Sequence, residues 1–156
     1  MMFKTPTRYF IVAGSSSGYT PLNAFDGALL NAGVGNTNIV KVSSIIPPGA
    51  QRIEPIQLPL GALVPSAYAS ICSEIPGEII SAAVAVGCPK NPKVPGLIME
   101  YSARGHKEDI EEIARNMARE AMTSRNLEIA RIESVSAEFQ VKTIGVALAA
   151  VILWDE

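Results

Sequence analysis

Ser43 and Ser44 stand side by side between Lys41-Val42 and Ile45-Ile46-Pro47-Pro48, where a β-branched stretch runs into a proline pair. A serine preceded by a strained peptide bond can attack the carbonyl before it, and the N-to-O acyl shift gives an ester. Loss of the α-proton expels the ester as a carboxylate and leaves dehydroalanine. One water then releases ammonia, and an N-terminal pyruvoyl group remains. No external cofactor is needed. Ser44 would be the attacker, Ser43 would supply the carbonyl, and the products would be segments 1–43 and 44–156. Taken alone the pair reads first as a strand end or turn. It gains interest because the other routes to covalent chemistry are missing. A single histidine, His106, excludes a multi-histidine metal site and a Ser-His-Asp triad, and beside an acidic helix start it reads as solvated. A hydrolase built on Ser44 would therefore lack a base. Gly14-Ser15-Ser16-Ser17-Gly18 lacks the Lys-Ser/Thr of a P-loop and the glycine spacing of a dinucleotide fold, so a plain flexible loop is expected there.

The elements around these residues follow from pattern. Arg8 to Ala13 is aromatic and β-branched and predicts a strand that stops at Gly14. Thr20-Pro21 opens a helix as N-cap and first residue, and Leu22, Phe25, Leu29 and Ala32 continue it at helical spacing to Gly33. Asn36 to Ile46 predicts one strand, and Gln51 to Pro59 an irregular connection. Further strands are expected at Gly61 to Glu74, Glu78 to Cys88, Gly96 to Tyr101, Glu128 to Gln140 and Val141 to Leu153. Small residues in Ser81–Val86 leave room for another layer. Lys107 to Arg125 carries Ile110, Ile113, Ala114, Met117, Ala118 and Ala121 on one helical stripe, with acids in its first turns. Many strands and two main helices, one early and one late, predict an α+β sandwich.

Beyond these local patterns, the chain resembles the pyruvoyl-dependent arginine decarboxylases. The resemblance lies in Val12-Ala13-Gly14-Ser15-Ser16, in Thr20-Pro21-Leu22-Asn23-Ala24-Phe25-Asp26-Gly27-Ala28-Leu29-Leu30-Asn31-Ala32-Gly33 and in Gly35-Asn36-Thr37-Asn38. It continues through Ser43-Ser44-Ile45, Leu60–Pro65, Pro76-Gly77-Glu78, Gly96–Tyr101 and Arg131–Ser134, in order and over nearly the whole chain. It implies an αββα four-layer sandwich, a single domain over 1–156, and self-cleavage into 1–43 (the β subunit) and 44–156 (the α subunit). It further implies a covalent pyruvoyl group made from Ser44, with neither metal nor pyridoxal phosphate. The implied reaction converts L-arginine to agmatine and carbon dioxide through a Schiff base. Asn38 is expected to assist processing, Glu100 to be the catalytic acid, and Asp26 to hold the distal end of the substrate, with Leu29, Gly35, Thr37 and Ile45 lining its site. A homotrimer, or a pair of trimers, with active sites between subunits is the implied assembly. Gly18-Tyr19 departs from the more polar residues common before the helix.

The residues themselves support parts of this. Glu100 sits in the apolar run Leu97-Ile98-Met99-Glu100-Tyr101, where desolvation would raise its pKa towards that of a usable acid. An outward-facing Glu on a half-exposed strand is the competing reading, and without the resemblance it leads. Asp26 shares a helical face with Leu22, Leu29 and Leu30 and needs a cation. A substrate guanidinium matches its two oxygens, and Lys41 or Arg52 would serve as internal partners. Asn38 could polarise the scissile carbonyl or simply occupy a turn.

Composition narrows the class. A charged fraction of 18% with a formal net charge of −2 gives no basic footprint for nucleic acid. The apolar run Ile144–Trp154 is too short to span a bilayer. Cys72 and Cys88 are read as small buried apolar residues in a reducing cytoplasm, the expected location. A pyruvoyl enzyme for aspartate, or an unprocessed trimeric binding module, are the alternatives.

Overall fold

The computed structural model describes residues 4–155. Nine strands and two helices follow in the order β1 (Arg8–Ser17), α1 (Pro21–Asn31), β2 (Asn38–Lys41), β3 (Ile45–Ile46), β4 (Gln51–Arg52), β5 (Leu63–Ser73), β6 (Ile79–Pro89), β7 (Gly96–Arg104), α2 (Lys107–Ser124), β8 (Ile129–Gln140) and β9 (Gly145–Trp154). They form a five-stranded sheet ordered β2-β5-β9-β1-β4 and a four-stranded sheet ordered β3-β7-β6-β8. Pairing is antiparallel except at the edges of the first sheet, where β2 runs parallel to β5 and β4 parallel to β1.

Three apolar layers show how the sheets stack. Ala67, Ala69, Ala147, Ala149 and Val151 of the first sheet meet Ile80, Ala82, Val84, Val86 and Ile98 of the second. Outside the first sheet, Ala24 and Ala28 of α1 lie on Phe10, Val12, Leu148 and Ile152. Outside the second, Ile110, Ala114 and Ala118 of α2 lie on Ala83 and Ala85. The order is α1, sheet, sheet, α2, the four-layer α+β sandwich expected. Strands buried on both faces lose the polar alternation of a half-exposed strand. Hence β6 and β9 read as nearly continuous apolar runs.

Local signals hold at the helices. The Thr20 Oγ1 accepts from the Asn23 N–H, Pro21 opens α1, and Gly33 leaves it at φ 88°, a conformation glycine enters without a Cβ clash. Several expectations change. The stripe of α1 holds at Phe25, Leu29 and Ala32, which pack half-buried on the first sheet, but it centres on Ala24 and Ala28, and Leu22 points outward at 74% exposure. Residues 14–17 are not a loop. β1 continues through Ser17, paired with β9 down to Gly145. Its small residues serve packing, since a Cβ on Gly14 would come within 2.4 Å of the Ala28 carbonyl oxygen. The stretch 36–46 is two strands in different sheets, a point taken up below. β4 forms within the segment expected to be irregular, and β9 begins four residues later than the pattern suggests.

A buried polar cluster ties the sheets together. Glu133 of β8, 8% exposed, accepts from the Tyr9 hydroxyl at 3.0 Å, the Cys88 thiol at 3.4 Å, Arg52 Nη1 at 3.0 Å and Arg131 Nε at 3.0 Å. Burial pushes the Glu133 carboxyl up, but these hydrogen bonds and the Arg131 charge outweigh it and leave the carboxyl below its usual range. The Glu133→Gln variant, made in a Ser44→Ala chain so that the expected self-cleavage cannot complicate unfolding, is expected to lose about 1–3 kcal/mol in urea denaturation at neutral pH. A depressed pKa contributes stability above the unfolded value of about 4.3 and loses it as pH falls through the folded value. The gap between variant and parent should therefore close below pH ~4. Cys88 is buried as expected, but Cys72 is exposed. Cys72 lies on β5, where strand alternation turns it away from the core.

Candidate active site

The chain leaves one sheet and enters the other at Ser43-Ser44. Upstream, β2 pairs with β5, and the Val42 N–H still donates to the Ser66 carbonyl at 3.0 Å. Downstream, β3 pairs with β7 in the register Ile45↔Leu97, and the Ser44 carbonyl accepts from the Ile98 N–H at 2.7 Å. A peptide bond pinned on both sides in this way cannot relax by sliding either strand. Ser43 is exposed and Ser44 half-buried, so the bond is open to water.

That register places Glu100. Ser44 lies against Ile98, and Glu100 is two residues further along β7 on the same face. Met99 and Tyr101 turn the other way, onto α2. The desolvation expected from all four neighbours of Glu100 therefore comes instead from the space between the sheets, and the outward-facing reading is excluded. Oε2 of Glu100 is buried without a hydrogen-bond partner among the described residues. Oε1 lies 3.7 Å from Lys41 Nζ, an ion pair too long for a hydrogen bond, and the same ammonium sits 4.6 Å above the Tyr68 ring. Burial raises the Glu100 carboxyl above its usual range, and Lys41 opposes that rise. Lys41, Tyr68, Ser70, Glu100 and Ser102 share a small cavity of about 290 Å³.

The remaining candidates gather elsewhere. Asp26 is exposed on the outer face of α1, between Leu22 at 74% and Leu30 at 52% exposure. It makes no ion pair among the described residues. Both internal partners considered for it are engaged, Lys41 with Glu100 and Arg52 with Glu133. Gly35 and Thr37 line a second cavity of about 300 Å³ with Leu30, Leu58 and Leu60, and Thr37 Oγ1 donates to the Val34 carbonyl at 2.7 Å. Leu29 is half-buried on the sheet-facing side of α1, whereas Ile45 is 39% exposed beside the Ser43–Ser44 bond. Asn38 donates from Nδ2 to the Gly61 carbonyl at 3.1 Å. The extended chain carries Val42 about 13 Å away from it, so Asn38 lies at the opposite end of β2 from the Ser43–Ser44 bond. Within one protomer the structure unites Ser43, Ser44, Ile45 and Glu100. It gathers Gly35 and Thr37 in a different cavity and leaves Asp26 on an open face.

Sequence reasoning missed the Lys41–Tyr68–Glu100 group and the Glu133 cluster. A cation two residues before the serine pair was the available signal for the first. Arg131 and Glu133, same-face neighbours on one strand, were the signal for the second.

The two-sheet scaffold is shared with a pyruvoyl-dependent histidine decarboxylase solved at pH 8, at a TM-score of 0.54 and 15% identity over 64% of this chain and 54% of that one. A likeness of that size establishes the fold. Finer kinship comes from sequence. The pyruvoyl-dependent arginine decarboxylase (PvlArgDC) family model matches residues 8–156. The chain is 51% identical to the pyruvoyl-dependent arginine decarboxylase of Methanocaldococcus jannaschii over 97% of its own length and 92% of that protein's. It is 45% identical to that of Thermococcus kodakarensis, with 98% of each covered, and 41% identical to that of Pyrococcus abyssi, with 99% of each covered. The chain belongs to the pyruvoyl-dependent arginine decarboxylase family. No described helix is long and apolar enough to cross a membrane.

Proposed function

We propose that the protein cleaves itself between Ser43 and Ser44 and decarboxylates L-arginine to agmatine and carbon dioxide. The observation that carries this reading is the Glu100 carboxyl, half-buried with one oxygen unpartnered, beside a serine pinned at a sheet crossover. The orphaned oxygen is suited to a reacting group at position 44, so the residues present fit a pyruvoyl group there. That group supplies an electron sink for the electrons released as carbon dioxide departs. The protein's own residues do the rest. Glu100 holds a proton for the former α-carbon, kept available by burial. Ile45 flanks the reacting centre. Asp26 takes the guanidinium through two charge-assisted hydrogen bonds.

A site between neighbouring subunits of a homotrimer, with two trimers able to pair, is part of the proposal. Support comes from the separation of the candidates within one protomer and from the exposed apolar residues around Asp26. Tyr19, Leu22, Leu60 and Leu63 are each more than 60% exposed, a surface that another copy would cover. Asn38, at the opposite end of β2 from its own scissile bond, would then assist the cleavage of a neighbour. Leu29, Gly35 and Thr37 would form the wall that meets the substrate's methylenes. The chain remains a single domain after cleavage, because β1 and α1 of segment 1–43 stay packed within segment 44–156. Two free thiols accord with a cytoplasmic setting.

The test is direct. Intact mass should show the 16.5 kDa chain converted to segments 1–43 and 44–156, and carboxyl-labelled arginine should release labelled carbon dioxide. An aged sample that stays whole, or one that releases label from aspartate and not from arginine, overturns the reading. The Asp26→Asn variant should still split while kcat/KM for arginine falls on the order of 10²- to 10³-fold, as expected when one partner of a buried charge pair is removed. An equal loss on a substrate with an uncharged side chain would show that Asp26 acts on structure and not on the guanidinium.

A further inference from the structure

Lys41 belongs to segment 1–43, whereas Glu100, to which its ammonium is paired at 3.7 Å, belongs to segment 44–156. The cleavage proposed above, on which this inference rests, therefore changes the surroundings of both. Before cleavage one cation faces one carboxylate. Afterwards Ser43 ends the first segment with a carboxylate of its own. Two residues of extended chain separate the Lys41 and Ser43 Cα atoms by about 7 Å, a span that a lysine's four-methylene arm covers. The existing pair is loose, and the Lys41 side chain is 55% exposed, free to re-aim.

We propose that self-cleavage arms Glu100 by giving Lys41 a second anion, the new Ser43 carboxylate, so that Lys41 is a positioning residue that withholds the acid's proton until the chain is cut.

One ammonium serves two carboxylates less well than one, and the carboxylate that it turns away from is the one whose protonation is favoured. The choice between them is set by solvation. A chain-terminal carboxyl has a reference pKa of about 3.3–3.7 against about 4.3 for glutamate, and Ser43 is exposed while Glu100 is half-buried. Glu100 takes the proton. Its surroundings offer little else to decide the matter. Lys41 faces it from β2, Tyr68 lines the same cavity from β5, Ser70 and Ser102 carry no charge, and β6 opposes it with Val84. Tyr101 lines the same cavity from β7 itself. The covalent balance is complete without a further reagent. The Ser43–Ser44 amide and one water become the Ser43 carboxylic acid, the keto group at position 44 and ammonia. The acid's proton leaves to solvent, and Glu100 draws one back.

The proposal is tested by carbon-detected NMR titration of glutamate carboxyls, with Glu100 assigned by its loss in Glu100→Gln. In uncleaved Ser44→Ala protein the Glu100 midpoint should lie at least one pH unit below that in mature wild-type protein. Lys41→Met in the uncleaved chain should lift the midpoint to the mature position, and Lys41→Arg should leave it low. In the mature protein Lys41→Met should move it little, because Lys41 has already left. Equal midpoints in the cut and uncut chains overturn the proposal, as does an uncut Lys41→Met midpoint that stays low. Should the Lys41→Met chain fail to cut, the uncleaved comparisons still decide. A wild-type chain that never splits counts instead against the cleavage reading, so the two failures are distinguishable on one gel.

Discussion

The Ser44→Ala chain is expected to remain whole and to release no carbon dioxide from arginine, a loss of at least about 10⁴-fold that reaches the assay floor. The reason is positional. The hydroxyl of Ser44 sits next to the Ser43 carbonyl at a bond held by the Val42–Ser66 and Ile98–Ser44 hydrogen bonds. No histidine, metal or bound nucleotide is implied by the family chemistry to replace it. Removing one oxygen thus removes both the attacking group and the electrophile that follows from it. The fold should survive, because Ser44 contributes its backbone carbonyl to β7 and alanine retains that. Phenylhydrazine, which labels ketones, should tag the 44–156 segment of the wild-type protein and nothing in the variant. Cleavage or labelling that persisted in Ser44→Ala would place the reaction at another residue.

Glu100→Gln should separate the two activities. The chain should still split, but kcat should fall by about 10²- to 10⁴-fold, the usual worth of a positioned acid, with KM for arginine changing much less. The pH profile carries the mechanistic information. Burial lifts the Glu100 carboxyl even in the uncut chain, where Lys41 opposes the lift, so the protonated form persists above the ordinary glutamate range. Activity requires that form and should decline as pH rises through the shifted value. The residual activity of the glutamine variant should lack that alkaline limb. A variant that kept the limb would assign the proton to another group, and one that lost KM instead of kcat would make Glu100 a binding residue.

How far the sequence reveals this arrangement depends on the range of each signal. Thr20, Pro21 and Gly33 mark α1 because caps act over a few residues, and the Ile110–Ala114–Ala118 stripe marks α2 because amphipathic periodicity is local. The layer order is also legible, in the small residues of β6. Gly14 to Ser17 misled for a physical reason. The same small residues that make turns also let a helix approach a strand, and only the position of Ala28 distinguishes the two. The break in Asn36–Ile46 is equally invisible, since a chain that changes sheets remains extended and apolar on both sides. The Lys41–Glu100 contact is set by a register between distant strands, which no local window contains. Asp26 was read correctly as an acid among leucines, but its face proves to be open. Leu22 and Leu30, which suggested burial, belong to a surface, and only Leu29 turns inward.

One consequence of the sheet order concerns what cutting does to the history of the molecule. β1 lies inside its sheet, hydrogen-bonded to β9 over ten residues on one side and to β4 on the other, yet it belongs to the segment that the proposed cleavage would separate from the rest. The uncut chain closes this sheet as a first-order event, with both partners tethered. Once cut, the same closure requires two molecules to meet, and its rate depends on dilution. Cutting at the Ser43–Ser44 bond would thus make recovery from denaturant depend on protein concentration, whereas the uncut Ser44→Ala chain should refold at a rate independent of it.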